Sequence, residues 1–152
     1  MAPNRVLDCG LVKNADMPNI LRQMHVAIQL SRAEACTNLP AKEAMACGIP
    51  VIAGFNTGMK DLLTDENSIV LRHQRPVHPQ GFGAEGWGES DVDEAFAALE
   101  KAYLDRAWLR QLGLSAAAWI RREGRTWNHH AEKLKAWISD AYPAQPPTHA
   151  AG

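Results

Sequence analysis

The sequence predicts an α/β domain: a small parallel sheet of about four strands flanked by helices, then a helical C-terminal segment. Three observations carry this. Short apolar runs alternate with helical patterns through the first half, which is the βαβ signature of parallel pairing. From Asp91 to Tyr142 the apolar residues recur at helical spacing instead. The composition, 46% hydrophobic and 22% charged over 152 residues, is that of a soluble domain large enough for a core.

Each element has a local justification. Val6-Leu7-Asp8-Cys9 reads as a brief strand closed by Gly10. Asp16 is placed to cap a short helix over Asn19 to Met24, with Pro18 in its first turn. His25 to Leu30 is the second strand, and Ala41 to Cys47 a helix stopped by Gly48. Pro50 to Ala53 is the third strand, Lys60 to Leu63 part of a helix, and Ser68 to Leu71 the fourth strand. Residues 73–90 hold two prolines and four glycines and read as a loop. Beyond it, Val92, Ala95, Phe96, Leu99, Ala102 and Tyr103 mark one helix face. Leu109, Leu112, Leu114 and Trp119 continue the pattern, and Trp127, Leu134, Trp137 and Ile138 mark a last amphipathic helix. Residues 1–142 form the predicted domain, and the Pro- and Ala-rich residues 143–152 a flexible tail.

Charge and cysteine usage exclude several functions. Sixteen Lys and Arg against seventeen Asp and Glu leave a net charge of -1, so no basic field for nucleic acid is expected. No apolar run reaches the ~20 residues of a membrane span. Three widely spaced cysteines, Cys9, Cys36 and Cys47, suit a reducing cytoplasm. The six histidines show no ligand spacing, and no metal site is expected. Gly81, Gly83 and Gly86 match a dinucleotide fingerprint literally. The segment before them, HQRPVHPQ, is broken by prolines and cannot feed a strand into the turn. A flexible loop is the expectation there.

The stretch EACTNLPAKEAMACGIPVIAG, residues 34–54, is the chemical candidate. It follows a strand, where open α/β sheets bind ligands. Asn38 is placed to cap the next helix, with Pro40 in its first turn. Free amides at such a helix start, with the positive end of the dipole, favour phosphate. Glu43 lies one turn in and Glu34 at the strand exit. A carboxylate beside an anion site is tolerable where it meets sugar hydroxyls, which donate to it. The alternative is that Glu43 only complements the helix dipole and Glu34 is solvated.

The same stretch resembles the donor-binding signature of retaining glycosyltransferases of the GT-B fold, above all glycosyltransferase family 4. EAMACGIPVIA is the closest part of the likeness. Eight residues separate Glu34 from Glu43 where the signature has seven, a difference that a one-residue bulge accommodates. VLDCG, ADMPNILRQMHVAIQLS, NTGMKDLLTDENSIVL and GWGESDVDEAFAALEKAY extend the likeness on both sides. The resemblance implies a Rossmann-like sheet and transfer of a sugar from a nucleotide-sugar with retention. It implies that Glu43 accepts from the ribose and that Thr37, Asn38 and Leu39 hold the diphosphate and sugar. Glu34 would contact the sugar near the reacting carbon, and no cofactor or metal is obligatory. It covers nearly the whole chain but less than half of such an enzyme, so a companion chain or N-terminal domain is the expected partner. A non-catalytic module that binds a nucleotide-sugar or another protein is the alternative.

Overall fold

The computed structural model describes residues 6–77 and 83–143. Its centre is a three-stranded parallel sheet in the order β1 (Ala27–Gln29), β2 (Val51–Gly54), β3 (Ile69–Leu71). β2 is buried along its whole length, as a strand covered on both faces must be. Side chains alternate across a strand, and the two faces of β2 accordingly serve two apolar clusters. Val51 and Ala53 pack with α2 (Leu39–Ala46) and α4 (Arg106–Arg122), through Ala41, Met45, Ala116 and Ile120. Ile52 faces the other way, with Leu71, onto Ala95 and Ala98 of α3 (Val92–Leu104). The result is helix, sheet, helix, as an α/β reading requires.

Helix α2 is bounded by local chemistry at both ends. The Asn38 side chain accepts from the Ala41 amide at 2.8 Å, and Pro40 sits in the first turn. At the other end Gly48 (φ +79°) follows the last turn. The Gly48 and Ile49 amides donate back to Met45 and Ala44, a Schellman ending. Helix α4 lies directly against this ending. A Cβ on Gly113 would fall 2.2 Å from the Gly48 carbonyl oxygen, so only glycine permits that approach.

Several elements differ from expectation. Val6–Cys9 is not a strand: it pairs with nothing among the described residues, and Val6 and Leu7 are 80% and 84% exposed. A strand is a property of two partners, so an apolar run alone does not make one. The sheet therefore has three strands among the described residues. The first helix, α1, is Met17–Leu21, and Asp16 precedes it without a side-chain cap bond. The turn after β2 is a 3₁₀ segment, Thr57–Asp61, rather than a helix from Lys60.

The expected loop at 73–90 contains an antiparallel pair, β4 (Gln74–Pro76) with β5 (Gly88–Ser90). Pro76 is tolerated because a two-strand ribbon has only edges. Gly81 of the literal fingerprint lies outside the described residues. On α3 the buried stripe is Ala95, Ala98 and Ala102, while Val92, Phe96 and Tyr103 are exposed. The close helix–sheet spacing selects the small residues. Trp119 joins the core, whereas Trp127 and Trp137 stay exposed on α5 (Trp127–Ala141), a helix with no buried residue.

Candidate functional site

The carboxyl ends of β1 and β2 are joined by polar side chains that the strands themselves position. Asn56, two residues past β2, is 2% exposed. Its Nδ2 donates to the Ser31 carbonyl (2.9 Å), the Gly88 carbonyl (3.2 Å) and Gln74 Oε1 (3.2 Å). One amide group thus ties the loop after β1 to the β4–β5 ribbon. The Gly88 amide donates to the Arg32 carbonyl at 2.9 Å, and Arg32 pairs with Glu89 at 2.8 Å. Hydrogen bonding to Arg32, then its charge, holds the Glu89 carboxyl below its ordinary value.

Glu34 is held at three points. Its amide donates to Thr57 Oγ1 at 2.7 Å, and its carbonyl accepts from the Gly58 amide at 3.2 Å. Its carboxylate Oε1 accepts from Asn38 Nδ2 at 2.6 Å. The same Nδ2 also reaches Gln29 Oε1, at the end of β1, at 3.4 Å. Asn38 therefore caps α2 with its oxygen and secures Glu34 with its nitrogen. Gly58 is required by packing, because a Cβ there would fall 2.1 Å from the Cys36 carbonyl oxygen.

The structure brings some of the expected residues together and separates others. Glu34 and Asn38 meet directly. Thr37 is half-buried. The amides of Thr37, Asn38 and Leu39 make no hydrogen bond among the described residues. Leu39 and Glu43 instead open onto a groove of about 250 Å³ between α2 and the start of α5. Lys42, Arg125, Trp127 and His130 also line it. Glu34 thus lies at the start of α2, and Glu43, a turn further along the helix, on its groove side.

Sequence reading missed Asn56, Thr57, Gly58 and Gln74. The run Asn-Thr-Gly signals a turn but carries no information about the distant carbonyls it serves. The Arg32 side chain, near enough in sequence to neutralise a bound anion, is engaged by Glu89.

The fold is thus a Rossmann-like α/β domain with a polar loop, a capped helix start and a fixed carboxylate at the carboxyl edge of its sheet. Residues 12–134 match the family described as "Family 4 Glycosyltransferase in conflict systems", and the chain belongs to that family. The curated proteins and the solved structures contain no match to it. Among the described residues, no helix is long and apolar enough to cross a membrane.

Proposed function

We propose that the chain binds a nucleotide-sugar and forms the donor side of a retaining glycosyl transfer, in the manner of a GT-B C-terminal domain. The observation that carries this reading is the Glu34–Asn38 bond at 2.6 Å, which ties a carboxylate to the same helix start that offers unbonded amides. The diphosphate lies at that helix start, where the dipole and the amides of residues 37–39 favour it. Glu43 accepts hydrogen bonds from the ribose on the groove side. Glu34 faces the sugar, where its charge stabilises the positive character that develops at the anomeric carbon. In the transfer the bond from that carbon to the diphosphate oxygen breaks and a bond to the acceptor oxygen forms. The electron pair leaves with the diphosphate, whose departing oxygen takes up the proton that the acceptor hydroxyl releases. No resident cofactor is needed. A companion chain or further domain supplies the acceptor groups, since transfer requires two positioned substrates.

A thermal-shift titration against UDP, GDP, ADP and their glucose and mannose conjugates tests this. At a hundredfold excess over Kd, binding raises stability by about 2.7 kcal/mol. A rise specific to one base, lost in Glu43→Ala, is the expected result. A flat response from a cooperatively folded chain overturns the reading.

Two structural features favour a second reading, a non-catalytic interaction module. Helix α5 exposes Trp127, Leu134, Trp137 and Ile138, and the outer edge of β1 is unpaired among the described residues. Under that reading Glu43→Ala leaves partner binding intact, because such a module has no use for the carboxylate.

A further inference from the structure

We infer that Thr57 is a positioning residue for Glu34, and that its hydroxyl tunes recognition of the sugar rather than the nucleotide. The inference rests on the donor-site reading above. It begins from an irregularity in the backbone: Thr57 is the one non-glycine residue with positive φ among the described residues, at +33°. A β-branched residue is disfavoured there, and such conformations persist where the surroundings over-determine them. For the turn alone glycine would serve better. What threonine adds is the hydroxyl.

That hydroxyl stands at a junction. Oγ1 accepts from the Glu34 amide at 2.7 Å and donates to Asn56 Oδ1 at 3.2 Å. Asn56 is the buried group that fastens the ribbon and the Ser31 carbonyl. A relay of hydrogen bonds therefore runs from the ribbon through Asn56 and Thr57 to the Glu34 backbone. It ends at the Glu34 carboxylate, which Asn38 holds from the opposite side. With the backbone fixed from one side and the carboxylate from the other, Glu34 loses its rotational slack. Removing the hydroxyl leaves Glu34 held at two points, by the Gly58 amide on its carbonyl and by Asn38 on its carboxylate. Such pre-organisation matters where a charged group must meet a reacting centre. Glu43 lies on the groove side, outside this relay, so the ribose contact should not depend on it.

The experiment compares the wild-type chain with Thr57→Gly and Thr57→Ser. Calorimetric titrations use the bare nucleoside diphosphates (UDP, GDP, ADP) and their glucose and mannose conjugates. Amide exchange at Glu34 is followed by NMR. Thr57→Gly is expected to melt within a few degrees of wild type, because relief of the backbone strain offsets the lost hydrogen bonds. Its Glu34 amide should exchange faster, and its affinity for the conjugate should fall roughly 3- to 10-fold, as for one lost hydrogen bond. Affinity for the bare diphosphate should not change, and Thr57→Ser should restore conjugate affinity. Equal weakening of both ligands, or no weakening of either, overturns the role of Thr57 and leaves the donor site standing. A wild-type chain that binds none of the ligands overturns the donor site, and the role of Thr57 with it.

Discussion

Alanine at Gly58 is the sharpest test of the site's architecture. The added Cβ would lie 2.1 Å from the Cys36 carbonyl oxygen, 2.7 Å from its carbon and 3.0 Å from the Glu34 carbonyl oxygen. All three are backbone atoms, so no side chain can swing aside to make room. The Cys36 carbonyl must retreat by roughly 1 Å, and overpacking of this kind costs about 1–3 kcal/mol. The movement also stretches the Gly58-to-Glu34 bond, now 3.2 Å, at a further cost of about 1 kcal/mol. Replacing glycine restricts the unfolded chain and returns roughly 0.4–1 kcal/mol. The net expectation is a destabilisation of about 1–4 kcal/mol, together with loss of sugar-conjugate binding. Urea unfolding of Gly58→Ala beside wild type measures the first, and calorimetric titration the second. A variant as stable as wild type would refute the close approach of the 3₁₀ turn to the loop after β1.

Three further substitutions probe the frame around the site. Gly113→Ala gains about 1 kcal/mol of helix propensity but meets the Gly48 carbonyl. Its melting temperature should fall by several degrees, whereas propensity alone would raise it. Asn38→Asp retains a capping oxygen yet sets a second carboxylate beside Glu34, now 2.6 Å from the Asn38 amide nitrogen. One carboxyl of the pair should then titrate above its ordinary value. The variant should accordingly gain stability relative to wild type as pH falls through that raised value, which a pH series of melting curves reads. The Asp91 carboxyl sits below its ordinary value because it accepts the Glu94 and then the Asp93 amide. A depressed carboxyl contributes stability above its unfolded value and loses it as pH falls through the folded one. Asp91→Ala should therefore melt lower than wild type at neutral pH, with the gap closing in acid.

What the sequence made legible was the chemistry that acts over a few residues. Asn38, Pro40 and Gly48 bound α2 because capping, φ restriction and left-handed turns depend on near neighbours, and all three act as their residue types predict. β2 was legible because a continuous apolar run suits a strand covered on both faces. The ribbon was not, because Gln74 and Gly88 are held by Asn56 from a distant part of the chain. Nor was the face that α3 buries. Pattern reading weights Phe96 and Tyr103 for their size, whereas the close packing against Ile52 and Leu71 admits only Ala95 and Ala98. In the candidate site, Glu34 and Asn38 were singled out by position, and the structure places them in hydrogen-bond contact. The strained Thr57 that orients Glu34 was not, since no propensity predicts a positive φ for threonine.

Helix α5 buries none of its fifteen residues, and this governs how the molecule comes apart. An isolated helix of that length is marginal in water, and here packing adds little. Its amides should exchange with solvent through local opening at small free energy, while those of β2 wait for global unfolding. The chain is thus two thermodynamic regions in one sequence: a cooperative α/β body and a terminal helix near its own melting point. A denaturation curve followed by helical circular dichroism should slope before its main transition, and a protease should clip α5 before it touches the sheet.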